Sequence, residues 1–204
     1  MPGKTEKIYN NHANNIYDFS LEYFNYLHEI FNKISKDEIN QFIQLLKDAR
    51  KSRSKIFFIG NGGSASTASH FANDLNIGTK TFSNPFRAIS LTDNNAIITA
   101  LGNDIGYKYI FSHQINSLAN KEDTIVMISA SGNSENLILA CEKAKKIGAK
   151  TIGLTAFDGG KIKELVDFSL HVPTEIGDYG PAEDIHLIIN HISVSYLMNS
   201  LKKK

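Results

Sequence analysis

Two stretches of the sequence each place a histidine near a carboxylate at a helical spacing. Four positions separate His70 from Asp74, so both side chains leave the same face of a helix. Glu183 and His191 are eight positions apart, which is roughly two turns and also allows a shared face. Two histidines and two carboxylates suit a four-ligand site for zinc or a similar ion. A single helical histidine is more often structural, so the spacing alone leaves both roles open.

The first of these stretches begins with a glycine-rich turn. The apolar run Ile56–Ile59 is followed by GNGGS at 60–64 and then by a helix-compatible sequence. A buried strand that turns through glycines into a helix offers an anion unpaired backbone N–H groups and the positive end of the helix dipole. We expect Ser64 to cap this helix. The pattern is neither GxxxxGK[ST] nor GxGxxG, which argues against a nucleotide cofactor.

A second strand–loop–helix junction follows the apolar run Thr124–Ile128. The sequence SASGNS at 129–134 opens a helix predicted over Glu135–Gly148. Its three hydroxyls and backbone N–H groups are the donors that a phosphate monoester requires. Taken alone, the loop is equally well explained as a serine-rich turn with a single N-cap. Two such junctions in one sheet favour a phosphate site, because ligands of open α/β sheets bind at the carboxyl ends of the strands.

Strands and helices alternate after Lys55. Short apolar runs bounded by Gly, Asn, Asp or Ser predict strands at Ile56–Ile59, Phe86–Leu91, Thr124–Ile128, Thr151–Leu154 and Phe168–Val172. The helices predicted between and after them are Ser64–Leu75, Ala96–Gly102, Tyr107–Leu118, Glu135–Gly148 and Glu183–Leu201. Continuous apolar strands that alternate with helices predict an α/β protein whose parallel sheet is covered on both faces.

A helical segment precedes the first strand. Apolar residues recur at spacings of three and four from Asn14 to Arg50, and Ser35 or Asp37 is a candidate cap for a second helix. We expect this arm, residues 14–52, to extend a single domain that spans residues 1–204. Its apolar face is broad enough to cover the domain or to pack against another subunit.

Composition narrows the class of protein. Of 204 residues, 42% are hydrophobic and 21% charged, which is typical of a globular protein with one sizeable core. A formal net charge of +1 gives no electrostatic reason to expect nucleic acid or a membrane as the main partner. The single cysteine, Cys141, excludes an internal disulfide and is predicted to be a core residue. No stretch resembles a membrane span or a signal peptide, so we expect a cytoplasmic protein.

Five motifs in the same order give the sequence a resemblance to the sugar isomerase (SIS) domain family. They are GNGGS with SHFAND, LGNDIG at 101–106, SASGNS, TAFDGGK at 155–161 and EDIHLIINH at 183–191. Within that family, the sequence is most similar to the phosphoheptose isomerases. The resemblance covers nearly the whole chain. It implies a three-layer α/β/α sandwich with a flavodoxin-like parallel sheet of about five strands, and a homotetramer with active sites between subunits.

The resemblance also implies a reaction and the residues that carry it out. The reaction is conversion of sedoheptulose 7-phosphate to D-glycero-D-manno-heptose 7-phosphate, a precursor of lipopolysaccharide or capsule. The implied substrate-binding positions are Asn61, Gly62, Gly63, Asn103, Asp104, Ser129, Ala130, Ser131, Ser134 and Glu183. One zinc ion per subunit is implied, with the ligands His70, Asp74, Glu183 and His191. Asp74 and His191 are the implied acid–base pair.

Three positions depart from the residues usual in that family. Asp74 stands in place of Glu, Glu183 in place of Gln, and Ala130 in place of Thr. The shorter Asp74 moves the carboxylate by about one ångström, a displacement that can cost roughly a hundredfold in rate. An isomerase for another sugar phosphate and a non-catalytic SIS protein, which would bind a sugar phosphate or a replication initiator, are therefore alternatives. The carboxylate or histidine at all four metal positions favours the enzyme.

Overall fold

The computed structural model describes residues 3–202, which form a parallel sheet with helices on both faces. The strands are β1 (Ile56–Gly60), β2 (Ala88–Ser90), β3 (Thr124–Ser129), β4 (Lys150–Ala156) and β5 (Phe168–Val172). Their spatial order is β2-β1-β3-β4-β5, and every neighbouring pair is parallel. The chain reverses its winding direction between β1 and β3, which opens a crevice at the carboxyl ends of these two strands. The predicted flavodoxin-like α/β/α sandwich is confirmed.

The helices flank this sheet. In chain order they are α1 (Lys4–Asn11), α2 (Ile16–Lys33), α3 (Lys36–Ser52), α4 (Gly63–Asn73), α5 (Asn95–Asp104), α6 (Ile110–Leu118), α7 (Glu135–Ile147), α8 (Gly160–Leu165) and α9 (Tyr179–Leu201). A π-helical turn at Asp74–Gly78 continues α4, and a 3₁₀ turn at Tyr107–Tyr109 leads into α6. None of the described helices combines the length and the apolar character needed to cross a bilayer.

Two hydrophobic cores lie on opposite faces of the sheet. Because successive strand residues point to opposite faces, Phe58 enters the core beneath α2, α3, α4 and α9, whereas Phe57 enters the core beneath α6, α7 and α8. Phe58 stacks on Phe71 of α4 with ring centroids 4.8 Å apart, and Phe42 of α3 meets the edge of Phe71. These aromatic contacts set the position of α4 on the sheet.

The helical arm covers the domain with one side only. Leu27 and Ile30 of α2 and Leu46 of α3 are buried in the first core. On its outer side, α2 exposes Ile16 and Phe24, which are 77% and 69% accessible. Residues 1–2 and 203–204, which the predicted single domain includes, lie outside the described residues.

The predicted strands are all present, and their ends shift by at most two residues. Ser35 caps α3 by accepting a hydrogen bond from the backbone N–H of Glu38. Of the two candidate caps, Ser35 and Asp37, the structure therefore selects Ser35. The helices α1 and α8 were missed, the latter because its six residues, which begin with Gly160, carry almost no apolar period. Helix α9 begins four residues earlier than predicted, since Pro181 lies in its first turn, where no N–H is needed.

The prediction that Ser64 caps α4 is wrong. The helix begins at Gly63, and Gly62 occupies the N-cap position with φ of +54°. Glycine adopts this conformation without the steric penalty of a Cβ atom, so the chain turns from β1 into α4 earlier than a serine cap would allow. Ser64 therefore lies inside the first turn of the helix.

Close backbone contacts fix the serine-rich loop after β3. The N–H of Ile162 donates to the carbonyl of Gly132 at 2.9 Å, and the N–H of Lys161 donates to Oδ1 of Asn133 at 3.2 Å. Gly132 has φ of +62°, and a Cβ atom there would overlap the carbonyl oxygen of Gly159. The loop is thus held by α8 and the segment before it.

We expect Gly132→Ala to lower the free energy of unfolding by about 3 kcal/mol or more, because it adds backbone strain and an overlap with main-chain atoms. Gly177 is the matched control: its φ is +95°, but the space around it is open. Gly177→Ala should cost only the strain, about 1–2 kcal/mol. Urea unfolding curves measure both values. Equal stability of the two variants would contradict the tight packing of the loop.

Candidate active site

Helices α4 and α9 run side by side in the same direction and carry much of the predicted site. At their amino-terminal ends, the carboxylate of Glu183 lies against Gly63, where a Cβ atom would overlap it. Further along both helices, His70 and His191 approach each other with 3.3 Å between their Nε2 atoms. Seven residues separate Gly63 from His70, and eight separate Glu183 from His191. The helical rise therefore places the two levels about 10–12 Å apart.

Asp74 completes a three-residue group with the two histidines. Its Oδ2 atom lies 3.2 Å from Nε2 of His70 and 4.0 Å from Nε2 of His191. The three ligand atoms therefore form a triangle with edges between 3.2 and 4.0 Å. Ligand atoms around a tetrahedral zinc ion, with bonds of about 2.0–2.1 Å, are about 3.3–3.5 Å apart. The group fits a zinc-type ion, and three protein ligands are the number found in catalytic zinc sites.

Glu183 does not belong to this group. Within the described chain, His70, Asp74 and His191 are the only group of three or more His, Cys, Asp or Glu residues whose ligand atoms all lie within 4.8 Å of one another. A shared helix face does not bring Glu183 and His191 together, because eight residues correspond to a rise of about 12 Å. The expected four-ligand set thus becomes three residues in the structure, and Glu183 lies at the other level of the helix pair.

At the level of Gly63 and Glu183 there is a cavity of about 160 Å³, where the amino-terminal ends of α4, α7 and α9 converge. Its lining residues are Asn61, Ser64, Ile128, Ser129, Ala130, Ser131, Ser134, Tyr179 and Glu183. Each helix end adds partial positive charge, and its first N–H groups lack partners within the helix. The cavity is therefore suited to an anion of the size of a phosphate group.

The serine hydroxyls of this cavity are free to donate hydrogen bonds. Ser129 accepts from the N–H of Gly132 at 3.0 Å, and Ser131 accepts from the N–H of Asn133 at 3.4 Å. A hydroxyl that accepts one hydrogen bond still has its own hydrogen to donate. Ser134 is the N-cap residue of α7, yet its side chain makes no capping hydrogen bond. These hydroxyls can therefore bind phosphate oxygens.

Asn61 links the loop after β1 to the other side of the crevice. Its side-chain amide pairs with that of Asn136 through hydrogen bonds of 2.9 and 2.8 Å, and the Tyr107 hydroxyl donates to its Oδ1 at 3.0 Å. Asn103 and Asp104 do not line the cavity. They are exposed at the end of α5, a helix that buries none of its residues.

One polar residue that the sequence did not point to contacts the group. Asn190 of α9 donates from Nδ2 to Oδ2 of Asp74 at 3.1 Å and is completely buried. The sequence signal that could have pointed to Asn190 is its polar side chain at a core-facing position of an apolar helix, in the run LIINHI. The other oxygen of Asp74, Oδ1, accepts a hydrogen bond from Asn73.

Two further side chains that could react, His186 and Cys141, are buried in the core. His186 is fully buried, which lowers its pKa to about 4 and keeps its ring neutral, and its Nε2 lies 3.4 Å from the carbonyl of Thr155. Burial likewise raises the pKa of the Cys141 thiol to about 11. The prediction that Cys141 is a core residue rather than a nucleophile is therefore confirmed.

Comparison with known proteins agrees with this fold and site. A family model described as SIS domain matches residues 22–156. The chain is 41% identical over 157 residues to a phosphoheptose isomerase of Helicobacter pylori strain P12, which covers 77% of this chain and 81% of that protein. A phosphoheptose isomerase of Aliarcobacter butzleri strain RM4018 is 39% identical over 166 residues, with 81% and 87% covered.

A solved structure is also similar over most of its length. The phosphoheptose isomerase from Francisella tularensis has a TM-score of 0.80 and 29% identity, and the match covers 92% of this chain and 98% of that one. The chain therefore belongs to the SIS domain family and, within it, to the phosphoheptose isomerases. The resemblance noted in the motifs is confirmed.

The first prediction for this site concerns the hydroxyls. We expect Ser131→Ala combined with Ser134→Ala to weaken binding of inorganic phosphate at least tenfold, since a hydrogen bond to a charged group contributes about 1.5–3 kcal/mol. Calorimetry measures the binding, and Ser117→Ala, which removes an exposed hydroxyl on α6, is the control. Unchanged phosphate affinity in the double variant would sink the assignment of the cavity to phosphate.

The second prediction is a variant that binds phosphate more tightly than the wild type. Glu183→Gln removes a negative charge from the same cavity while keeping the size of the side chain. We expect phosphate to bind several-fold more tightly, since repulsion between two charges near a protein surface is on the order of 1 kcal/mol or more. The same titration measures it. Weaker phosphate binding in this variant would mean that the carboxylate helps to hold the anion.

Proposed function

We propose that the protein is an aldose–ketose isomerase that converts sedoheptulose 7-phosphate to D-glycero-D-manno-heptose 7-phosphate, a heptose precursor of lipopolysaccharide or capsule. The observation that supports this best is the spacing of about 10–12 Å between the phosphate-type cavity and the His70–Asp74–His191 group. An open-chain ketose phosphate carries its phosphate and its carbonyl at opposite ends and is of similar length. We place the reaction in the cytoplasm, in agreement with the single, buried cysteine.

The reaction moves one proton between neighbouring carbons. A base removes a proton from C1 of the ketose, the C1–C2 bond gains double-bond character, and negative charge develops on O2. The O1 proton then leaves and O2 is protonated, and return of a proton to C2 regenerates a carbonyl at C1. Atoms and charge balance, and no oxidant is needed.

We assign the carbon-bound proton to Asp74 and the oxygen-bound proton to His191. The Oδ2 atom of Asp74 is held by Asn190, so the carboxylate has a defined position for the transfer. The His191 side chain is about half exposed, which leaves its ring accessible to the sugar hydroxyls. The phosphate, bound by the serine loop, fixes the other end of the chain and aligns C1 and C2 with this pair.

We also propose that His70, Asp74 and His191 hold one zinc ion per subunit. Bound there, zinc would supply positive charge to the oxygen on which negative charge develops. A carboxylate that binds zinc is a weaker base, so the extent of metal occupancy bears directly on the role of Asp74. The family resemblance and the triangle of ligand atoms support the metal.

A turnover assay tests the function itself. Incubation with sedoheptulose 7-phosphate should yield an aldose phosphate, detected by NMR, and a six-carbon ketose phosphate serves as the comparison substrate. If phosphate binds at the cavity but no sugar phosphate isomerises, the protein is a non-catalytic SIS protein. Faster turnover of the six-carbon substrate would reassign the substrate.

His191→Ala tests the reacting group. We expect turnover to fall by a factor of about 10³ or more and zinc content to fall with it, because the variant removes both a ligand and a proton donor. Thermal stability should change little, since His191 is about half exposed. The exposed His113→Ala on α6 is the control. If the purified protein lacks stoichiometric metal and keeps its activity in the presence of a chelator, the metal has no role in the reaction. Asp74 and His191 would then act as an acid–base pair without it.

We propose that the protein is a homotetramer in which neighbouring subunits complete each site. The cavity of about 160 Å³ is smaller than the pockets of about 300–1,000 Å³ that enclose whole ligands. An apolar groove of about 270 Å³ between α2 and α9, lined by Phe24, Phe31, Ile188 and Ile192 among others, supports contact with a second copy. The exposed Asn103 and Asp104 of α5 are then free to reach a neighbouring site.

Light scattering at micromolar concentration tests the assembly. We expect the mass of a tetramer for the wild type and a smaller species for Phe24→Asp, because a charge in the apolar groove opposes contact between copies. The control is Phe82→Asp, which changes an exposed phenylalanine that does not line the groove. A monomer that retains full activity would contradict the proposal.

A further inference from the structure

Asn190 is a buried polar residue that the fold itself does not require. It is fully inaccessible and lies on the face of α9 that packs toward α4 and the sheet. Its Oδ1 atom has no hydrogen-bond partner among the described residues. A buried amide oxygen without a partner lowers the free energy of unfolding, so an apolar side chain of similar size would serve packing better.

Among the described residues, the Asn190 side chain makes one hydrogen bond, and it goes to Asp74, the proposed reacting group. Nδ2 donates to Oδ2 of Asp74, the same oxygen that faces His70 and His191. The other donor to this carboxylate, Asn73, binds Oδ1 and is a neighbour in sequence. Asn190 is therefore the contact that fixes the carboxylate of Asp74 from the opposite helix.

We infer that Asn190 is a positioning residue, which holds the short Asp74 side chain so that Oδ2 faces the two histidines. The inference rests on the proposed function, since it assigns Asp74 to proton transfer. Asp74 begins the π-helical turn, where the backbone departs from the regular helix, and its side chain is one methylene shorter than Glu. The hydrogen bond from α9 compensates for that short reach by selecting one orientation of the carboxylate.

The test is Asn190→Leu, which keeps the volume and removes the amide. We expect kcat to fall about 10- to 100-fold, as for other residues that orient a reacting group or a metal ligand. KM for the sugar phosphate should stay within about twofold, because the phosphate cavity lies at the other level of the helices. The melting temperature should be unchanged or higher, since the unpartnered oxygen is gone.

Ser193→Ala is the matched control. Ser193 is buried on the same helix, and its hydroxyl donates to the carbonyl of Ile189 rather than to Asp74. It should leave kcat unchanged. A lower melting temperature in Asn190→Leu, with kcat reduced no more than in the control, would show a structural role and overturn the inference.

The effect of Asn190→Leu in a protein that already carries Asp74→Glu distinguishes a positioning role from a general effect on packing. In Asp74→Glu, the longer side chain carries its carboxylate past the reach of Asn190. Adding Asn190→Leu should then reduce kcat less than threefold, in contrast to the loss in the Asp74 background. Equal losses in both backgrounds would contradict the inference.

A crystal structure of Asn190→Leu keeps the inference distinct from the proposed function. We expect the carboxylate of Asp74 to rotate away from His70 and His191, whether or not the wild type isomerises a heptose phosphate. An unmoved carboxylate would refute the positioning role even in an active enzyme. An inactive wild type, with a rotated carboxylate in the variant, would refute the proposed function and leave the positioning role in place.

Discussion

The close parallel packing of α4 against α9 is the constraint on which the site depends. At the first level, Gly63 leaves room for the carboxylate of Glu183, which any side chain at position 63 would displace. The stack of Phe58 on Phe71 attaches α4 to the sheet. With the two helices in this register, His70 and His191 meet at the second level without any loop to position them. Groups on rigid elements keep the separation of the two levels constant.

At the crevice between β1 and β3, the amino-terminal end of α7 joins those of α4 and α9. Three helices begin there, and their amino-terminal ends attract an anion without any lysine or arginine in the lining of the cavity. The serine loop owes its shape to Gly132, which allows its backbone to touch the segment before α8. A rigid phosphate site at one end lets the binding energy of the phosphate orient the reacting carbons at the other end.

Patterns in the sequence predicted the features that follow from burial and from local backbone chemistry. The five strands were found because each is a continuous apolar run, and the two ligand loops were found because glycines and serines punctuate them. Helix α8 was missed because burial of a single residue, Ile162, leaves no period to detect.

The errors in the candidate site have a different cause, namely that spacing describes one helix at a time. It placed Glu183 and His191 on one face of α9, but two residues on one face that are eight positions apart are separated by a rise of about 12 Å. Spacing also could not show that the partner of each lies on another helix. Asn190 was missed for the same reason, since its role depends on Asp74, which is 116 residues away in sequence.

We propose that a single substrate spans the two levels of the α4–α9 pair. A crystal structure of the protein with bound sedoheptulose 7-phosphate tests it most directly. We expect phosphate oxygens within hydrogen-bond distance of the Ser131 and Ser134 hydroxyls, with C1 and C2 of the same molecule beside Asp74 and His191. A sugar whose phosphate lies at the histidines, or whose carbonyl end points away from Asp74, would contradict it.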